Sequence, residues 1–465
     1  MDAKLLGKID KLIEEYEPQL VEDTITFVNI NSEQGEPKPN APFGIGPRKM
    51  LDKVIELGRQ KGFYTTDYNV GVISLAFKNS QPDLGIWLHG DVVPAGPGWE
   101  FEPYNATIYK GCIIGRGATD NKGQLSCVFN TFKIFKELGI ELKYNPAIYV
   151  GSNEETGCLD IEGVPGNPDA KGFINVCIPP RLSLVPDSSY PIGYGARGMT
   201  SLYIKSKTPF SFSLTAGLDE NPGLATAKIN GKVDFDVLKD CKIEYGKNTV
   251  VTSFTPPRHT SSPDPNGNMI TNICQALLSS EVLTDNERTV LELFKLCSVN
   301  VHGENFNVDV KSEIMSTTTV YAKTIRNVDG FPELELRVRY PIEITYEQIL
   351  EKISKIAQSF GCTVRGDYPH KPYINDVDNE VVKALTKVAN DVTGRDDKPY
   401  INGTTYAQHL PNAYIYGMEG CDKPKEFKEG HGSAHGLDES VSIERLKRSM
   451  RIYARALLTL NEINW

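Results

Sequence analysis

No stretch of this 465-residue chain stays apolar for the roughly 18 residues that a bilayer-spanning helix requires. The opening MDAKLLGKIDKLIEEYEPQL lacks an apolar signal core and a small-residue cleavage site; it is amphipathic and acidic. A cytoplasmic protein is expected, with no membrane partner. Basic charge is short as well: 50 Lys and Arg against 60 Asp and Glu leave a net charge of -10. Phosphate backbones would be repelled on average, so nucleic acid is not an expected partner. The nine cysteines form no C-x-x-C pair, and their number is odd. Reduced cysteines in a cytosolic protein fit this pattern. Internal repeats and low-complexity tracts are also missing. What is there, 40% hydrophobic and 24% charged residues, is the make-up of a soluble globular protein with core to spare.

Apolar periodicity predicts two helices in the first sixty residues, one through Leu5, Ile9, Leu12, Ile13 and Tyr16, the other through Met50, Val54, Ile55 and Leu57. Short apolar runs then alternate with helical patterns. Gly85–Leu88, Ala147–Val150 and Leu182–Val185 read as buried strands, and Leu125 to Leu138 as a helix between the first two. This predicts an α/β domain with a largely parallel mixed sheet between helices. Between about 194 and 370, strand-like and helical pieces mix as in an α+β insert. After His370 the α/β pattern returns. The expected organisation is a first part over 1–193, an α+β lid domain over 194–370 and a second part over 371–465.

Polar clusters follow the predicted strands. His89-Gly90-Asp91 offers an imidazole, a common metal ligand, with a carboxylate two residues on. Asp120, in GRGATDNKG, starts the helix, where an N-cap is its plain alternative. That loop is Gly-rich, but its spacing is neither a dinucleotide fingerprint nor a Walker A loop. In Glu154-Glu155 one carboxylate can ligate a cation while the other acts as general base. Asp187 again follows a strand. Near the C-terminus His431 and His435 are four apart among glycines, which argues for a loop rather than one helix face; His435 is the candidate ligand. Ligands bind beyond the carboxyl ends of open α/β sheets, so these groups can converge. One His among several carboxylates needs cations. Zn²⁺, Mn²⁺ or Co²⁺ suits, and a bridging Asp can hold two metals about 3.5–4 Å apart.

The strings HGDVVPAGPGW, GRGATDNKGQ, NEETG, PDSSYP and AHGLDE resemble, in order, the signatures of the dinuclear zinc peptidases. That family includes aminoacylase, acetylornithine deacetylase, succinyl-diaminopimelate desuccinylase and carnosinase. The long insert, PDSSYPIGYGARG and GTTYAQHLPNAYIYG are most similar to its PepV-like bacterial dipeptidase branch. The resemblance implies two divalent metals, Zn²⁺ foremost. His89 and Asp187 would hold one, Glu155 and His435 the other, with Asp120 bridging. It implies Glu154 as general base and then acid, and Asp91 as the group orienting His89. His259, in PRHTSSP, would donate to the oxyanion. Arg339 would grip the substrate's C-terminal carboxylate, although Arg337 lies on the same strand face. Gly403 and Thr404 would lie near that carboxylate. Asn221 would contact substrate, but GLDENPG departs from the family's usual N-M-V-P, and Asp438-Glu439 stands where Asn-Glu is common.

The implied activity is a dipeptidase for short peptides with a free C-terminal carboxylate, acting as a monomer whose insert closes over the site. An N-acyl-amino-acid deacylase uses the same chemistry and is the main alternative. A non-catalytic metal- or peptide-binding protein is the rival of a different class, and a nucleotide-binding enzyme rests on the GRGATDNKG loop alone.

Overall fold

The short apolar runs become the centre of a nine-stranded sheet. Leu84–His89, Pro146–Gly151 and Leu182–Val185 are buried at every position, as befits parallel strands covered by helices. The order is Tyr64–Asp67, Ile73–Ala76, Pro146–Gly151, Leu84–His89, Leu182–Val185, Ala413–Ile415, Gly193–Ala196 and Tyr373–Ile374, with Tyr400–Asn402 paired to Gly193–Ala196. From Pro146–Gly151 to Ala413–Ile415 the pairings are parallel. The first two strands add an antiparallel edge. This is the α/β class that the sequence predicts. The computed structural model describes residues 2–164, 166–218, 221–236, 240–255, 267–418, 423–428 and 430–465.

One expectation needs correction. The first sixty residues hold three helices, not two: Ala3–Glu15, Glu17–Val28 and Ile45–Gln60. Pro18 sits in the first turn of the middle helix, where its missing N–H costs nothing. That helix buries Asp23 and Thr24, which blurs its apolar stripe. Asp23 is buried for a reason: its Oδ2 accepts from Asn130 Nδ2 at 2.9 Å and Lys133 Nζ at 3.1 Å. Both donors lie on Lys122–Glu137, a helix buried along most of its length.

The chain forms two compact units, Met1–Gly195 with Ile374–Trp465, and Ala196–Tyr373. The second unit is built on an eight-stranded sheet, ordered Cys241–Tyr245, Asn248–Phe254, Asn221–Asn230, Ser213–Leu218, Thr319–Val328, Phe331–Tyr340, Gly198–Ser206 and Cys362–Gly366. Its strand pairings are antiparallel. Leu334, Leu336 and Val338, at alternate positions of one strand, share a core with Ile270 and Ile273, Leu291 and Phe294, and Ile349 and Ile353 of three helices. The helices start where the sequence has caps: Thr284 with Glu287, and Thr345 with Gln348, form capping boxes. Among the described residues no helix is long and apolar enough to cross a membrane.

Candidate metal centre

Parallel strands put their carboxyl ends on one edge of a sheet, where α/β ligand sites form. His89 ends its strand and pairs in register with Gly151, which ends the neighbouring one. Glu154 and Glu155 follow Gly151 closely, and Asp187 follows the strand Leu182–Val185. Asp120 precedes the helix Lys122–Glu137, but the cap position falls on Asn121 and no side-chain cap bond forms. Its carboxylate turns to two histidines instead.

His89 Nδ1 lies 3.0 Å from the main-chain oxygen of Asp91. A carbonyl only accepts, so Nδ1 carries a proton, and neutral His89 presents Nε2 as a lone pair. That nitrogen faces Asp120 Oδ1 at 2.9 Å and Asp187 Oδ1 at 4.0 Å. Lone pairs this close require a proton or a cation between them. The other oxygen of Asp120 repeats the arrangement: His435 Nε2 lies 3.2 Å from Asp120 Oδ2 and 3.0 Å from Glu155 Oε1. Two groups result, His89–Asp120–Asp187 and Asp120–Glu155–His435, each with ligand atoms within 4.8 Å of one another. They share Asp120, one oxygen to each. Ligands at about 2.0–2.2 Å from a tetrahedral ion are roughly 3.3–3.6 Å apart. The four separations straddle that spacing, and imidazole plus carboxylate is a donor set for Zn²⁺, Mn²⁺ or Co²⁺.

The electrostatics point the same way. Burial, then repulsion from Asp120, raises the Asp187 carboxyl above its usual range. The same two causes raise Glu155, against the pull of His435. Glu154 is pushed well above the usual range by burial and by Asp187, Glu155 and Asp120, with His89 opposing. Burial would lower His89, but Asp120 and Asp91 outweigh it and hold the ring well above its ordinary value. His435 is raised by its bonds to Asp120 and Glu155. Burial would raise Asp120; the two histidines reverse that and lower it. Four acidic side chains crowded in this way repel one another unless positive charge is shared among them.

Asp91 contacts His89 more closely through its backbone than through its side chain, whose Oδ1 is 3.5 Å from Nδ1. The Asp91 carboxylate instead accepts from the backbone N–H of Glu154 at 3.2 Å and of Glu155 at 3.1 Å. It therefore pins the glutamate pair as well as the histidine. Further residues hold the centre that the sequence reading does not assign to the site. Buried Asp160 accepts from Ser152 N, Asn153 N and Tyr406 Oη at 2.7, 3.1 and 2.6 Å. Gly151 makes this possible, because a Cβ there would run into Tyr406 and Asp160. Glu439, fully buried, accepts from the backbone N–H of both Thr119 and Asp120 at 2.9 Å and from Arg116 at 2.7 Å. The only advance signal is that Arg116 and Glu439 are opposite charges inside two of the motifs.

His431 does not join His435; it pairs with Asp438 at 2.5 Å. Gly403 and Thr404 lie between the strand Tyr400–Asn402 and the 3-10 turn Tyr406–His409. In the second unit, Arg339 is on the strand Phe331–Tyr340 and only 7% exposed. Burial, with repulsion from Arg197 and Arg337, lowers its guanidinium to about 10. Its Nε has no hydrogen-bond partner among the described residues, whereas Arg337 lies 3.5 Å from Glu335. Asn221 begins the strand Asn221–Asn230. His259 lies outside the described residues.

Comparison with known proteins identifies the family and the fold. The Bacillus subtilis (strain 168) protein named "Putative dipeptidase YtjP" is 27% identical over 469 residues, 95% of this chain and 97% of that protein. Human carnosine dipeptidase 1 matches in structure with a TM-score of 0.61 at 15% identity, over 99% of both chains. The dipeptidase Dug1p of Saccharomyces cerevisiae matches at 0.60 and 16%, again over 99% of both chains. These structural likenesses carry the fold. The family-level match spans residues 86–459, from the strand that ends in His89 to the last helix. The chain accordingly belongs to Peptidase family M20/M25/M40, and the peptidase expected from its motifs is what it is.

Proposed function

We propose that this peptidase is a metal-dependent dipeptidase for short peptides with a free C-terminal carboxylate. The observation that carries the reading is the division of Asp120: one oxygen faces His89 and the other faces His435. His89 and Asp187 would hold one divalent ion, Glu155 and His435 the other, with Asp120 common to both and Zn²⁺ the first candidate. Such ions polarise a scissile carbonyl and make water a nucleophile near neutral pH.

The remaining work falls to the chain's own groups. Glu154 neighbours Glu155 in sequence but belongs to neither candidate ligand group. Its raised affinity for protons suits a carboxylate that takes the proton of the attacking water and returns it to the departing amine. Asp91 holds both glutamates by their backbone, so ligand and base keep one spacing. Arg339 is the candidate for the substrate's terminal carboxylate, because a buried guanidinium without an ion pair among the described residues matches that fork of oxygens. Asn221, Gly403, Thr404 and His259 keep the substrate roles implied by the resemblance.

The test is a panel of dipeptides, tripeptides and N-acyl amino acids offered to protein stripped of metal and reloaded with Zn²⁺, Mn²⁺ or Co²⁺. Dipeptide cleavage that follows metal loading is the expected result. Cleavage of N-acyl amino acids alone would replace the substrate class with the deacylase alternative.

A further inference from the structure

His89 and Asp187 are reached by the chain in different ways. His89 is the last residue of its strand, whereas Asp187 lies beyond the end of the strand Leu182–Val185. A ligand on a loop is only as well placed as the contacts that hold the loop. Here they flank Asp187 on both sides. Before it, Asn121 Nδ2 donates to Pro186 O at 2.8 Å. After it, the Ser188 N–H donates to Gly417 O at 2.8 Å, and the Gly417 N–H donates to Ser189 O at 3.0 Å.

A side chain from far along the chain completes the set. Tyr400 Oη donates to Ser189 O at 2.7 Å and accepts from the Ser189 N–H at 3.1 Å. One hydroxyl thus serves both backbone groups of one residue, and the carbonyl has a second lone pair for Gly417. Burial pushes this phenol up to about 12, so it keeps the proton it donates across the neutral range. Tyr400 is itself fixed by the sheet. It opens the strand Tyr400–Asn402, which pairs with Gly193–Ala196, and its N–H donates to Ile192 O at 3.0 Å. Gly193 leaves room for the ring: a Cβ there would come within 3.3 Å of Tyr400 Cε2. The ring therefore carries the order of a paired strand across to the loop that bears Asp187.

We propose that Tyr400 is a positioning residue for the metal centre, its hydroxyl clasping both backbone groups of Ser189 and so holding Asp187 toward His89 and Asp120 before any ion arrives. The proposal rests on the metal centre of the proposed dipeptidase for the role of Asp187, but not on the identity of the substrate.

Two measurements test it. The first is Zn²⁺ affinity, read by competition with a chromogenic chelator. In His435→Ala the ion that remains is the one facing His89, Asp120 and Asp187, and adding Tyr400→Phe should weaken it by about 10–100-fold, the range that outer partners of ligands command. In Asp187→Ala the ion that remains faces Asp120, Glu155 and His435, and Tyr400→Phe should leave its affinity unchanged. An equal loss in both backgrounds, or a loss in neither, would overturn the proposal, because a tyrosine that only stabilises the fold acts on both ions alike. Tyr144→Phe gives up a phenol-to-backbone bond of 2.7 Å to Leu457 O elsewhere in the fold and should change neither affinity. The second measurement is hydrogen exchange of the unaltered full chain stripped of metal, which stands alone if Tyr400→Phe does not fold. The Ser189 amide should exchange slowly, since the clasp precedes the ion. Exchange as fast as in an unstructured peptide, slowed only by Zn²⁺, would overturn the proposal. The affinity split without cleavage of any dipeptide removes the dipeptidase reading and keeps the clasp. Dipeptide cleavage without the split does the reverse.

Discussion

His89 and His435 reach the same carboxylate from opposite surroundings. His89 is fully buried at the end of a central strand, and its Nδ1 is tied to the backbone of Asp91. The side chain of His435 is 52% exposed, on a loop residue with φ +61°. Strand register sets the first half of the centre. The second half depends on a loop held by side chains: Asp438 accepts from the backbone N–H of Glu100 and Phe101 at 2.9 and 3.0 Å, and Arg116 reaches the His435 carbonyl at 3.4 Å. One site can thus combine a ligand fixed by the sheet with one fixed by a network, and the two should fail differently.

The largest expected effect belongs to neither half. Glu154→Gln should cut turnover by about 10²–10⁴-fold, the usual range for a general acid–base, while elemental analysis still finds two ions per chain. Loss of an ion together with activity would make Glu154 a ligand and erase the distinction between base and ligands.

Next comes the network. Glu439→Gln leaves buried Arg116 without its counter-charge, which should destabilise the fold by about 3–5 kcal/mol in denaturant unfolding. Adding Arg116→Met should recover much of that loss, since no unpaired charge remains. A single variant as stable as the parent would show that the pair does not hold the loop.

The comparison sharpens on metal affinity. Under increasing chelator, the ion on the His435 side should leave first, with affinity weaker by about 10–100-fold, the range that outer partners command. His435→Ala should retain one ion per chain. Simultaneous loss of both ions would mean that the halves are not independent.

The smallest effect is expected at Asp160→Asn. Asp160 accepts three hydrogen bonds, and burial with the charge of Asp91 raises its carboxyl to about 7. An amide of the same shape should cost about 1–2 kcal/mol of stability, read from the denaturant midpoint, with two ions still bound.

Much of this is legible in the sequence, for a physical reason. Buried parallel strands read as short apolar runs, and the polar residues directly after them mark their carboxyl ends; His89, the Glu154-Glu155 pair and Asp187 all announce themselves so. Glycines around His431 and His435 argue against a helix, and the chain there is indeed a loop in which only His435 meets Asp120. The helix Glu17–Val28 is not legible, because its buried Asp23 answers Asn130 and Lys133 more than a hundred positions away. Glu439 likewise answers Arg116 from 323 positions away, and Tyr406 answers Asp160 from 246. Taken singly, each looks like an ordinary polar surface residue. Arg337 and Arg339 share a strand face, and only packing separates them: one has Glu335 nearby, while the other is buried without an ion pair among the described residues.

The central claim is that Asp120 joins two cation sites that act together on a peptide bond. The most direct test is to titrate Zn²⁺ into the metal-stripped chain while measuring dipeptide hydrolysis and bound metal in the same samples, with Glu154→Ala alongside. The account predicts that full turnover arrives only as the second ion binds, and that Glu154→Ala binds two ions yet stays inactive. Full turnover at one ion per chain or none, or an active Glu154→Ala, would contradict it.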